Sequence, residues 1–245
     1  MMRMRLLLTL TVSAALICAS PSGARPRHSG PAPGRFDYYL LSLSLAPSFC
    51  MLSPTHQASP ECRRLTPEAF RQTPLTVHGL WPNRAGASVN EEPHDCAAPP
   101  FRISDALERQ LARYMPGGPG LAEHEWRKHG TCSGLPPEAY FSRIVSLAQH
   151  ANDVIGGAMR DGNMLGNTLR ISDLLRAVAV REPALAAAIV VDCRIPRGGG
   201  DALVEEIRVA LSKDFAPRPV TQLGLGQNSG CPRGAGRVPE PVPTH

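Results

Sequence analysis

The chain is poor in lysine, in aromatic residues and in long apolar runs. Only Lys128 and Lys213 stand among its 26 basic side chains, so arginine carries nearly all the positive charge. Aromatic residues are 5% of the 245 residues, so each Trp and Tyr has to be asked what it packs against or binds. Beyond residue 24 no stretch is long and apolar enough for a helical membrane span. There is no Cys-x-x-Cys pair, which weakens a structural zinc reading. There is no Gly-x-Ser-x-Gly elbow of a serine hydrolase, and no internal repeat. By contrast, 22 Gly and 25 Pro require many loops. A hydrophobic share of 42% with 19% charged residues excludes a disordered polyelectrolyte and leaves room for one sizeable core. The net charge of +5 fits a polyanionic partner without specifying one.

Arg3 and Arg5 precede an apolar run over residues 6–19, and small residues follow. That pattern reads as a secretory signal over residues 1–24. The mature protein is therefore expected to be exported, periplasmic or extracellular, monomeric and without membrane attachment. Residues 25–35 read as a flexible lead-in. Removing Cys18 with the signal leaves six cysteines: Cys50, Cys62, Cys96, Cys132, Cys193 and Cys231. An even number in an exported chain points to disulfides, although the count alone leaves their pairing open.

Residues 36–45 alternate Leu41, Leu43 and Leu45 with Ser42 and Ser44, the pattern of a strand with one buried face. Pro47 should end it, and a loop should carry Cys50 and Cys62. Residues 75–80 form a second strand, closed by Trp81-Pro82. Helices are expected from Thr66-Pro67-Glu68, from Ser104 as cap, over 121–129 ended by Gly130, over 137–150 and over 172–181. Late strands fall at 189–193 and 203–211. In the latter, Leu203, Ile207, Val209 and Leu211 alternate with Glu206 and Arg208, while Glu205 interrupts the apolar face. From residue 232 no pattern remains, and 232–245 is expected as a disordered tail. Irregular interleaving of helices and strands gives an α+β fold in a single domain over 36–231.

Two short segments hold three of the eight histidines and both tryptophans. They are His78-Gly79-Leu80-Trp81-Pro82 and His124-Glu125-Trp126-Arg127-Lys128-His129-Gly130. On a helix, His124, Glu125, Lys128 and His129 share one arc of about 140°. Glu123 and Arg127 fall on the opposite side. Two imidazoles suit general acid and general base work near neutrality. A lysine and a carboxylate beside them suit stabilisation of a charged transition state. Phosphodiester transfer on RNA needs these parts, because the nucleophile is the substrate's own 2′-hydroxyl. His78, from the strand, then supplies the second imidazole across a cleft from His129. A zincin would need histidines four apart on one face; His124 and His129 are five apart.

At these residues the chain resembles the ribonuclease T2 family, whose two short active-site segments it carries in the same order and separation. The resemblance covers roughly residues 36–231. It implies a central antiparallel sheet flanked by helices and stapled by disulfides. It implies endonucleolytic cleavage of single-stranded RNA, without metal or cofactor, through a 2′,3′-cyclic phosphate to a 3′-phosphate. Carried over, His129 is the base that takes the 2′-hydroxyl proton and His78 the acid that protonates the leaving 5′-oxygen. Glu125 and Lys128 stabilise the phosphorane, and His124 binds phosphate. Trp81 stacks on a base. Asn83 takes a base-binding place often held by an acidic residue. The resemblance also implies a Cys96–Cys132 link, with Cys50–Cys62 and Cys193–Cys231 as the remaining pairs. Residues 83–95 lack the second aromatic that many members carry, and Leu121 stands where many have an aromatic. Low base selectivity is the expectation.

Overall fold

The computed structural model describes residues 31–86 and 92–241; the signal over 1–24 and residues 25–30 of the lead-in lie outside the described residues. The chain folds as α+β around one sheet. Its long strands are β1 (Tyr38–Ser44), β2 (Thr76–Asn83), β4 (Ile189–Arg194) and β5 (Leu203–Leu211). Short β3 (Thr168–Arg170), β6 (Asn228–Ser229) and β7 (Ala235–Arg237) extend it. The order is β2-β1-β5-β4-β6, and the long neighbours are all antiparallel.

The central position of β1 follows from its composition. Tyr39, Leu41, Leu43 and Leu45 enter the main core. The serine face is buried as well: Ser42 has no exposure. The expectation of one solvated face is therefore corrected. Tyr38 and Leu40, on the serine side, pack with Val190, Ala210, Val220 and Leu223 in a second, smaller cluster. The strip of this face around Ser42 and Ser44 is left polar, and it becomes the floor of the site.

β2 continues through Pro82 instead of stopping before it. It is an edge strand, with Tyr39 opposite Pro82 and Tyr38 opposite Asn83. The Asn83 carbonyl accepts from Asp37 N at 2.7 Å, so Asn83 turns its backbone groups inward and Pro82 places its missing N–H outward. The start of the strand is held by Asn152, whose buried amide accepts from Leu75 N at 3.1 Å and donates to Leu75 O and Ala148 O at 2.9 Å.

Helices cover the core face. The expected loop carrying Cys50 and Cys62 is instead three short helices: α1 (Ala46–Leu52), α2 (Pro54–Gln57) and α3 (Pro60–Arg64). Proline at the first turn of each, with Ser53 and Ser59 accepting from His56 N and Cys62 N, explains starts that hydrophobic periodicity does not reveal. Next come α4 (Pro67–Gln72), α5 (Asp105–Leu111), α6 (Pro119–Lys128), α7 (Pro137–Ala151) and α8 (Gly157–Asp161). α9 (Ile171–Arg181) and α10 (Pro183–Ala187) complete the set. α7 is fixed to β2 by Tyr140, fully buried, whose hydroxyl donates to Leu80 O.

Three disulfides form: Cys50–Cys62, Cys96–Cys132 and Cys193–Cys231. The second ties the loop after β2 to the turn following α6. The described parts of the lead-in and of the expected tail make defined contacts, while residues 242–245 lie outside the described residues. Gly34 N donates to Cys132 O at 2.9 Å, so the end of the lead-in is pinned to the domain. Residues 232–241 are not a patternless tail: β7 pairs with β3 and β5, and Val238 is buried in the main core. Gly236 lies so close to the Cys193 sulfur that a Cβ there would approach it to 2.6 Å. A Pro- and Gly-rich segment packs here because its backbone must run against the disulfide.

Candidate active site

The site forms where β2 passes α6 above the polar strip of the sheet. α6 buries Ala122, Glu125 and Trp126. Trp126 packs with Tyr140 and Phe141 in the core, while Glu125, one step around the helix, turns towards β2. Glu123 and Arg127 lie on the opposite side and pair with each other. His129 caps the C-terminus of the helix. Gly130 follows because a Cβ there would stand 2.4 Å from the Trp126 ring.

Trp81 is the centre of the cluster. Its indole N–H donates to Glu125 Oε2 at 2.8 Å. The His78 ring meets its edge at a centroid distance of 5.1 Å, and the His129 ring lies 5.3 Å away. His78 Nε2 is 3.9 Å from Glu125 Oε1. Gly79 makes this geometry possible: a Cβ on it would lie 2.1 Å from Glu125 Oε2 and 2.2 Å from Trp81 Nε1. The spacing His-Gly-Leu-Trp thus brings a ring and an indole onto one carboxylate, over a residue with no side chain.

The two imidazoles sit in opposite environments. His78 Nδ1 is 2.7 Å from Glu206 Oε1. A carboxylate only accepts, so Nδ1 carries the proton there. Burial works against the His78 charge, but the bond to Glu206 and the charges of Glu206 and Glu125 outweigh it and raise the pKa. His129 is 9% exposed, and its Nδ1 is buried with no hydrogen-bond partner among the described residues. Burial, reinforced by Lys128, His78 and His124, lowers its pKa to about 3. Glu125, 2% exposed, is pushed up by burial against the opposing pull of His78 and the Trp81 hydrogen bond.

His124 and Lys128 are exposed on the rim of the cluster, near enough for their charges to act on Glu125 and His129. Asn83 differs. It is buried, its Oδ1 accepts from Arg84 N at 2.8 Å and its carbonyl accepts from Asp37 N, so its bonds shape its own turn. A small cavity of about 120 Å³ opens beside His78, lined in part by Phe49, Glu61, Thr76, Leu121 and Glu205.

Glu206, Arg208 and Asp192 were not among the sequence candidates. In the sequence Glu206 and Arg208 only alternate with the apolar residues of β5; in the structure Glu206 is buried and Arg208 half-buried. The signal present in the sequence was Asp192, a lone acid in the apolar run of β4.

The sequence profile of the Ribonuclease T2 family matches residues 36–218. The chain belongs to the ribonuclease T2 family. It is 28% identical to ribonuclease I of Escherichia coli strain K12 over 218 residues, 77% of this chain and 80% of that protein. It is 30% identical to ribonuclease DdI of Dictyostelium discoideum over 188 residues, 71% of this chain and 77% of that one. In fold it is similar to ribonuclease MC1 from bitter gourd seeds, with TM-score 0.60, 21% identity, and coverage of 82% of this chain and 100% of that one. A variant of that enzyme in complex with 5′-GMP superposes with TM-score 0.65 at 21% identity, covering 82% of this chain and 100% of that one. The chain is an endoribonuclease of this family.

Proposed function

We propose that the enzyme cleaves single-stranded RNA by transphosphorylation, with His129 and His78 exchanging protons with the substrate. The observation that carries this reading is the pair of imidazoles against one indole, with pKa values driven in opposite directions. Environments that push two groups apart in this way assign the base and the acid. At neutral pH His129 is neutral and takes the proton of the 2′-hydroxyl. His78 is protonated and gives its Nε2 proton to the departing 5′-oxygen. The 2′-oxygen displaces the 5′-oxygen at phosphorus, leaving a 2′,3′-cyclic phosphate. Water then opens the ring to a 3′-phosphate with the roles reversed. The nucleophile is part of the substrate, so the step requires no metal-activated water.

Glu125 and Lys128 stabilise the charge of the phosphorane, and His124 binds a non-reacting phosphate oxygen. Trp81 supplies a stacking surface for a base while its N–H holds Glu125. Base selectivity is low, in keeping with the absence of a second aromatic in 83–95. The enzyme acts as an exported monomer, periplasmic or extracellular, in scavenging RNA. The single domain extends beyond residue 231 to include β7, which pairs with β3 and β5.

The test is digestion of a defined single-stranded RNA in excess chelator, with the product ends identified. Cyclic phosphate followed by 3′-phosphate is expected, and DNA of the same sequence stays intact because it lacks the 2′-hydroxyl. His78→Ala and His129→Ala should each remove nearly all cleavage. Full activity in either variant overturns the assignment.

A further inference from the structure

We infer that Glu206, backed by Arg208 and Asp192, is a positioning residue for His78, fixing its ring orientation and keeping it protonated as the general acid. This rests on the role proposed for His78 and deepens it.

His78 is on β2 and Glu206 on β5, with β1 between them. They meet across a whole strand because the intervening residues on β1 are small. Ser42 lies between Gly79 and Arg208, and Ser44 between Thr76 and Glu206. A leucine in either place would fill the space that the carboxylate and the imidazole share. The buried Ser42 and half-buried Ser44 of β1 thus have a structural purpose that the alternation in the sequence does not reveal.

Behind the carboxylate stands a second layer. Arg208 Nε donates to Glu206 Oε2 at 2.8 Å, and Nη2 lies 2.7 Å from the same oxygen as an ion pair. The same Nη2 lies 2.6 Å from Asp192 Oδ2. Glu206 is 4% and Asp192 5% exposed, and the Arg208 guanidinium contacts both carboxylates. Fixed in this way, Glu206 Oε1 defines where His78 Nδ1 sits and which edge of the ring faces the groove.

The charges balance only when His78 is protonated. Two carboxylates face one guanidinium and one imidazolium. Loss of the His78 proton leaves a net negative charge in a largely buried array, which is costly at low dielectric. Burial opposes the Glu206 charge, but the His78 hydrogen bond and Arg208 hold its carboxyl down to about 2, so it stays ionised wherever the enzyme works. Other groups also face His78: Glu125 from α6, Glu61 from α3 and His129 beyond the indole. Glu205, paired with Arg194 at 2.9 Å, adds charge beside Glu206. Of these acids Glu206 alone makes a hydrogen bond to the ring.

Glu206→Gln tests the inference, because the amide keeps the shape and removes the charge. On RNA, kcat at neutral pH should fall at least about tenfold, within the range of a weakened general acid. KM should change little, and the alkaline limb of kcat/KM should move to lower pH. A nucleoside 3′-(4-nitrophenyl phosphate) has a leaving group that departs without a proton, and on it the variant should keep close to the parent rate. Asp192→Asn, which loosens only the outer layer, should shift the limb in the same direction by less. An unchanged alkaline limb in Glu206→Gln, or an equal loss on both substrates, overturns the inference. If Glu206→Gln fails to fold, the Asp192→Asn limb and the His78 titration followed by NMR decide in its place. That titration also separates the two readings. A His78 pKa that falls in the variant upholds the coupling even if His78→Ala proves active and the acid role is lost.

Discussion

Replacing Gly79 by alanine puts one methyl group into the centre of the site. The new Cβ would lie 2.1 Å from Glu125 Oε2 and 2.2 Å from Trp81 Nε1, overlapping both partners of the hydrogen bond between them. Neither partner has easy escape: Glu125 is 2% exposed, and the indole is flanked by the rings of His78 and His129. The bond must break. A hydrogen bond to a charged group contributes about 1.5–3 kcal/mol. At 1.36 kcal/mol per tenfold change, its loss from the transition state corresponds to roughly a 10- to 150-fold fall in kcat/KM. The assay is steady-state cleavage of a short RNA, with urea unfolding alongside. Gly120→Ala is the control: it lies in α6 with open space around its Cβ, so activity should hold and stability stay level or rise slightly. Trp81→Phe removes the N–H without overlap and should reproduce much of the activity loss. Gly79→Ala with parental kcat/KM and parental stability would refute the reasoning, since it would mean that the glycine is not needed for the indole to reach Glu125.

The kcat/KM profile should fall above pH 6.5 as His78 loses its proton, at a pH above that of an unperturbed imidazole, and fall on the acid side towards pH 3 as His129 gains one. Stability has a related signature. His129 binds a proton more readily when unfolded, so stability drops as pH falls from about 6.5 towards 3. Glu206, depressed to about 2, adds a further loss below about pH 4. His78 works in the other direction, its contribution full below about pH 6.5 and lost as pH rises through its raised value. Urea midpoints across this range, with His129→Gln expected to flatten the upper part of the acid slope, check the signs. Asn152→Ala leaves both backbone groups of Leu75 without partners and should cost about 1–3 kcal/mol in urea unfolding. Cleavage by the molecules that remain folded should persist; a loss below about 0.5 kcal/mol would show that water replaces the amide.

The site was legible where chemistry and spacing coincide. Glu125 and His129, with His124 and Lys128 at the rim, could be put on one side of a helix because a period of 3.6 leaves little choice. His78 and Trp81 could be joined to them through the rarity of their residue types. Glu206 and Arg208 could not be read, because a polar alternation in a strand looks the same whether it meets water or another strand's histidine. The same ambiguity hid the burial of Ser42. The helices around Cys50 and Cys62 were missed because caps and proline, not a hydrophobic period, define segments of four to seven residues. The segment after Pro232 was read as a tail because its fit depends on a disulfide and a strand far away in the chain.

Local order and residue type were enough to specify the four long strands, the helix that carries Glu125 and the side chains of the candidate site, since each follows from neighbours a few residues apart. What tertiary packing alone decided is how the surroundings of the two imidazoles differ. Both begin as the same side chain, and only the carboxylate behind one and the unpartnered burial of the other make their proton affinities diverge.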